Sequence, residues 1–343
     1  MSRVHVIEYD WLPAMQETPV YAYRLPADTF EDIGHAMVSS VPVTPLGPPT
    51  HLGDLLKLHE EAGIELRLTH NIWPWWHQVI ESGLDFSGIR LRNARTGPLR
   101  EDEYIVHVRD GFVWAQDTGE PDLQPVVFVH AGMADSRIWD RVWRQLSGSY
   151  RLIRFDARGF GCSARPTTTF SLSEDLLGVL DELSLDRPLL VGLSMGGGAA
   201  LDVALSHPSR VAGLVLAAPG ISGYDLPWDH TPPADPVARG MSIWGRAGDD
   251  PLAVDLLRGG IEGWSRGGDK ISDTGDAWQN LEALSVASTL LIGDLDYPPL
   301  VESNLEAARR MPGCRLVSLP GVDHFLPFRA PSAVVEAIRS LTP

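Results

Sequence analysis

From Tyr104 onward, short apolar runs alternate with segments of helical period, and few architectures accept that alternation. VVFVH (126–130), RLIRF (151–155), PLLVGL (188–193), VAGLVLAAP (211–219), STLLIG (288–293) and RLVSLP (315–320) read as strands. Runs this apolar need cover on both faces, so the segments between them must be helices packed on either side of a mostly parallel sheet. Ser136 to Leu146 fits, with Ile138, Trp139, Val142 and Leu146 on one helical face. SLSEDLLGVLDEL opens on Ser171 and Glu174, the spacing of a reciprocal N-terminal cap. Met195–His207, Val301–Met311 and Pro331–Leu341 read as further helices, the last with proline at its start. YIVHV (104–108) and FVWAQ (112–116) predict a hairpin turning at Asp110-Gly111.

The alternation stops between the strands VAGLVLAAP and STLLIG. Residues 221–287 hold Trp228, Trp244, Trp264 and Trp278 among Pro, Gly and Asp. Inserted segments of this length usually carry function, so a lid of short helices is expected. Residues 1–95 read as an N-terminal α+β extension of unknown role. Thr29–Met37 and Leu52–Glu61 have helical character, IELRLTH (64–70) strand character, and PVTPLGPP (42–49) that of a linker. IWPWWH (72–77) is read as packing or interface.

Composition narrows the function. The 343 residues carry a formal net charge of −17, which excludes the basic face that nucleic acids or anionic membranes require. No uncharged run reaches the roughly 18 residues of a membrane span, and MSRVHVIEYDW lacks the apolar core of a signal peptide. Cys162 and Cys314 have neither framework nor metal-site spacing. The expectation is a cytoplasmic protein with no cofactor and no metal, acting on a small molecule; a homo-oligomer is compatible with the chain.

The chemistry concentrates at LVGLSMGG (190–197). A strand that turns sharply into a helix exposes the residue at the turn, here Ser194, and Gly192 and Gly196 keep side chains clear of it. A serine hydroxyl needs a base. His324, in the loop after RLVSLP, can reach over the sheet edge where Ser194 lies. The imidazole needs a carboxylate to fix its tautomer. Asp294 and Asp296 follow STLLIG, and Asp323 adjoins the histidine. Adjacent side chains rarely make the required contact, and Asp296 extends further into its loop, so Asp296 is the expected acid and Asp294 a turn residue. The N–H of Met195 is the expected first donor to an oxyanion, and the loop HAGMADS (130–136) should supply a second. His130 is read as ordering that loop, Asp156 and Arg158 as ordering the next.

HAGMADSRIW, FDARGFGCS, LVGLSMGG, GDLDYP and GVDHFLPF, in this order, resemble the serine-nucleophile branch of the α/β-hydrolase superfamily. The likeness covers about residues 103–341 and is nearest to bacterial small-ester hydrolases of the pimeloyl-ester esterase, enol-lactonase and perhydrolase-like group. It implies the α/β-hydrolase fold, the order Ser194, Asp296, His324, and Gly132 as second oxyanion donor, with Met133 as the fallback. Ala131 departs from the glycine of many members. Met133, Trp228, Trp244 and Phe325 are candidate substrate contacts. The implied activity is cleavage of a carboxylic ester, lactone or thioester of a small apolar substrate through an acyl-enzyme on Ser194. C–C bond hydrolysis, acyl transfer and perhydrolysis use the same groups and stay open, as does a non-hydrolytic cyclase or ligand-binding role. Serine as nucleophile speaks against haloalkane dehalogenase or epoxide hydrolase chemistry.

Overall fold

The computed structural model describes residues 102–342 apart from 110, 118–120, 164, 165, 167, 228–232, 249, 273 and 274, and within residues 1–101 the backbone of six strands. In that first region Val4–Tyr9 pairs antiparallel with Pro19–Arg24 and parallel with Glu65–Leu68. The strand expected at IELRLTH is therefore present. Within the proline-rich stretch, Thr44–Pro45 pairs with Tyr23 and Arg24, so part of the expected linker is a sheet edge. The helices expected at Thr29–Met37 and Leu52–Glu61 and the tryptophan cluster at 72–77 lie outside the described residues.

The second sheet has eight strands. They are β1 (Glu103–Val108), β2 (Gly111–Asp117), β3 (Pro125–Val129), β4 (Arg151–Phe155), β5 (Leu189–Leu193), β6 (Gly213–Ala217), β7 (Ser288–Gly293) and β8 (Arg315–Leu319). Their order across the sheet is β8-β7-β6-β5-β3-β4-β2-β1. The six strands from β3 to β8 run parallel, and β2 and β1 complete the sheet antiparallel. Strands β5, β6 and β7 are buried at every position, which is why they read as unbroken apolar runs. Strand order reverses between β3 and β5. In open α/β sheets a crevice opens there, beyond the carboxyl ends of the strands.

The helices are α1 (Asp140–Leu146), α2 (Leu172–Glu182), α3 (Met195–Ser206), α4 (Pro236–Trp244), α5 (Pro251–Gly267), α6 (Ala277–Asn280), α7 (Pro298–Arg310), α8 (Leu326–Arg329) and α9 (Pro331–Arg339). The helical segment at Ser136 begins as a 3-10 turn, Ser136–Trp139, before α1, with the Asp135 side chain capping it. Helix α2 starts as expected, the Ser171 hydroxyl accepting from the Glu174 N–H at 3.4 Å. The Glu174 carboxylate, however, takes Arg109 at 3.1 Å, so an ion pair replaces half of the expected reciprocal cap.

The hairpin is offset by one residue from expectation. Gly111 lies inside β2, paired with Val108. Its missing side chain serves a different purpose: a Cβ there would lie 2.8 Å from Nη1 of Arg158. The insertion between β6 and β7 is helical, as expected, and contains α4, α5 and α6. Among the described residues no helix is long and apolar enough to cross a membrane.

Candidate active site

Strand β5 ends at Leu193 and α3 begins at Met195, leaving Ser194 alone in the turn. Its backbone sits at φ 53°, ψ −115°, a region that side chains avoid. The turn is held from both sides. The Ser194 N–H donates to the Ala217 carbonyl at 2.9 Å, and its carbonyl accepts from Gly198 at 2.9 Å and Gly220 at 3.0 Å. The glycines around it are sites of close backbone approach. A Cβ on Gly192 would meet the Gly196 carbonyl, and one on Gly196 would meet the carbonyls of Val129 and His130. Helix α3 can thus press against the end of β3, bringing the Met195 N–H and the loop after β3 into one neighbourhood.

Parallel strands place the carboxyl ends of β5, β7 and β8 along one sheet edge, and the loops there carry Ser194, Asp296 and His324. The structure joins two of these directly. His324 Nδ1 lies 2.8 Å from Asp296 Oδ2, with side-chain exposures of 1% and 0%. The second Asp296 oxygen accepts from the Tyr297 N–H at 2.7 Å. With a carboxylate on Nδ1, the proton belongs on that nitrogen, which leaves Nε2 as the basic atom. Nε2 is buried and has no hydrogen-bond partner among the described residues. A buried polar atom without a partner is costly, and such atoms concentrate where a ligand or reacting group completes the set.

The other carboxylates are structural. Asp294 accepts from the Gly321 N–H at 2.7 Å, tying the β7 loop to the β8 loop, in keeping with a turn role. Asp323 faces away from the imidazole. It accepts from the Ala247 N–H at 2.9 Å and the Phe325 N–H at 3.1 Å, and pairs with Arg329 at 3.2 Å.

The loop after β3 is braced by His130. Its Nδ1 lies 2.8 Å from the Ala131 carbonyl and its Nε2 accepts from the Ala157 N–H at 2.9 Å, which fixes one neutral tautomer. Asp156 accepts from the N–H groups of Ser136 and Cys162, each at 2.8 Å, and Arg158 grips Asp175 at 2.6 Å. These three residues order loops, as expected.

Helix α5 lies across the same loop. A Cβ on Gly132 would sit 2.8 Å from Nε1 of Trp264, and one on Gly260 would meet the Met133 backbone. The Trp264 ring is edge-on to Phe160 at 6.1 Å and 47% exposed. Arg137 bridges the two parts, binding Asp135 of the loop and Asp255 of α5 at 2.8 Å each. Burial opposes the Arg137 charge, but the two carboxylates outweigh it and raise its pKa further above the usual arginine value.

Of the expected substrate contacts, Met133 lies half-buried under α5. Trp228 lies outside the described residues. Phe325, at 1% exposure, packs with the hydrophobic core immediately before α8. Trp244 packs on His324 itself, ring centroids 4.5 Å apart. That contact was not legible in the sequence, where Trp244 is a candidate substrate contact of the insertion and not a neighbour of His324.

Residues 124–246 match the family model described as alpha/beta hydrolase fold, and residues 1–94 match a family of unknown function, DUF6886. The chain is 40% identical over 146 residues to a 2-hydroxy-6-oxo-2,4-heptadienoate hydrolase of Pseudomonas putida, covering 39% of this chain and 52% of that protein. It spans about half the length of the curated relatives it matches. Among solved structures, the carboxylesterase CesB of Bacillus subtilis superposes with a TM-score of 0.60 at 20% identity, covering 78% of this chain and 96% of that one. The enol-lactonase of Burkholderia xenovorans superposes with a TM-score of 0.57 at 20% identity, covering 69% and 99%. These superpositions establish the fold.

Proposed function

Residues 103–341 have the α/β-hydrolase fold, and from that premise we propose that the chain is a serine hydrolase cleaving a carboxylic ester, lactone or thioester of a small, largely apolar substrate. Ser194 attacks the carbonyl carbon while Nε2 of His324 takes its proton. Asp296 holds the imidazole in the required tautomer and stabilises the imidazolium. The N–H groups of Met195 and Gly132 receive the oxyanion. His324 then protonates the leaving group, and water, deprotonated by the same nitrogen, releases the acyl group from Ser194. Bond for bond, one ester and one water become an acid and an alcohol.

One observation carries this reading: a fully buried Asp296–His324 pair whose other ring nitrogen has no partner among the described residues, on the same sheet edge as a serine held in a strained turn. The test is covalent labelling. A fluorophosphonate probe is expected to add its mass to Ser194, with no addition in Ser194→Ala and strongly slowed addition in His324→Ala. Folded protein that stays unlabelled above neutral pH removes the serine-hydrolase reading.

The Pseudomonas putida relative favours a second reading, C–C bond hydrolysis of a dienoate ketone with the same residues. Turnover of such a ketone without turnover of aryl esters selects it.

A further inference from the structure

The insertion reaches the acid–base pair at one short turn, Trp244 to Gly248, where α4 ends. The main-chain N–H of His324 donates to the Trp244 carbonyl at 3.2 Å, and Trp244 lays its ring beside the imidazole at 4.5 Å and 42°. Arg246 donates to the main-chain carbonyl of Asp296 at 3.2 Å. Ala247 donates to Asp323, the residue before His324, at 2.9 Å, and Arg329 donates to the Gly248 carbonyl at 2.5 Å. Trp244 also packs edge-on to Tyr297 at 5.8 Å, and Tyr297 supplies the N–H that holds Asp296. The Tyr297 hydroxyl in turn donates to the Pro227 carbonyl.

We propose that the turn Trp244–Gly248 of the insertion is the clamp that positions the acid–base pair, with Trp244 as the positioning residue of His324. This rests on the acid–base reading above. A loop histidine can rotate about its side-chain bonds, and the bond to Asp296 fixes only one nitrogen. The indole removes the space into which the ring would turn. It also presents a π face to the ring that becomes positively charged during the reaction. The charged groups described beside the imidazole have partners of their own. Asp296 binds it, Asp323 is turned toward Ala247, Phe325 and Arg329, and Arg246 is committed to the Asp296 carbonyl. Trp244 is thus a neutral wall on the side of His324 contributed by the insertion.

A wall of this kind differs measurably from a substrate contact. Loss of a substrate contact raises KM, whereas loss of positioning lowers kcat, roughly ten- to hundredfold for a displacement on the order of 1 Å. The experiment combines kinetics on a small acetate ester, too short to reach the insertion's outer surface, with proton NMR of the imidazole N–H bound to Asp296. That far-downfield signal is assigned by its disappearance in His324→Ala. In Trp244→Leu the signal is expected to broaden or shift, with kcat down by roughly tenfold or more and KM nearly unchanged. Trp244→Phe is expected to restore both. Arg246→Met, which keeps the ring, checks the other arm of the clamp and is expected to move the same signal less.

A Trp244→Leu variant with raised KM, unchanged kcat and an unchanged imidazole signal overturns the proposal. The NMR readout needs no turnover. An imidazole signal that responds to Trp244→Leu in a protein that fluorophosphonate does not label keeps the clamp and removes the hydrolase.

Discussion

Single residues at this site are placed by backbone contacts more than by their own chemistry. Ser194 occupies a strained conformation that costs roughly 1–3 kcal/mol, and the bonds from Gly198 and Gly220 to its carbonyl, with its own bond to Ala217, hold it there. Asp296 is similarly over-determined, since both carboxylate oxygens accept an N–H. Asparagine offers one acceptor where two are used, so either the Tyr297 N–H or the imidazole loses its partner. Asp296→Asn is therefore expected to lower kcat by about 10⁴, the scale seen when a histidine is held in the wrong tautomer. Asp294→Asn, which keeps an oxygen for Gly321, is expected to stay within a few-fold of the parent. Steady-state kinetics on one ester separate the two, and the reverse ranking reassigns the acid. Ser194, Asp296 and His324 were legible in the sequence because each follows a strand, and strand ends on one edge of a parallel sheet converge. Trp244 was not, because its role depends on how an insertion without strand periodicity folds back over that edge.

At the scale of elements, the strands of the eight-stranded sheet could be read to within two residues, whereas in residues 1–101 only the strand at 64–70 was expected. Gly111 looked like a turn residue but is in the strand, kept small by the Arg158 guanidinium. The Glu174 side chain preferred an exposed arginine to a backbone N–H. Neither partner is a sequence neighbour, so neither outcome has a local signal. The fit of α3 against β3 is tighter. Gly196→Ala places a methyl against two carbonyls of the strand end, and backbone cannot yield as a side chain does. Overpacking of this kind costs roughly 1–3 kcal/mol, at about 2–4 °C per kcal/mol for a domain of this size. The variant is expected to melt several degrees lower and to lose fluorophosphonate labelling. Thermal melting and mass spectrometry test both. The nearest atoms to a methyl in Gly132→Ala belong to the Trp264 edge, a side chain half in solvent, so its melting temperature is expected to move less.

At the scale of the molecule, two regions match different families, residues 1–94 and residues 124–246. The hydrophobic core among the described residues runs from Val106 to Ile338 and spans the eight-stranded sheet. A chain starting at Arg100 is therefore expected to fold and to react with fluorophosphonate at a rate near that of the full chain. A folded but unreactive fragment would place a needed group in the first hundred residues. For that region the sequence carried strand character at 64–70 and no motif, and its role could not be read. The order of the functional residues along the chain has a further consequence. During synthesis the serine turn and its central strands leave the ribosome well before β7 and β8, which bring Asp296 and His324 from the sheet's far side. On the serine-hydrolase proposal, a chain terminated before β7 would carry Ser194 without the Asp296–His324 pair that takes its proton. On that proposal, reactivity waits for the loop that carries His324, and chains that stop short of it are inert.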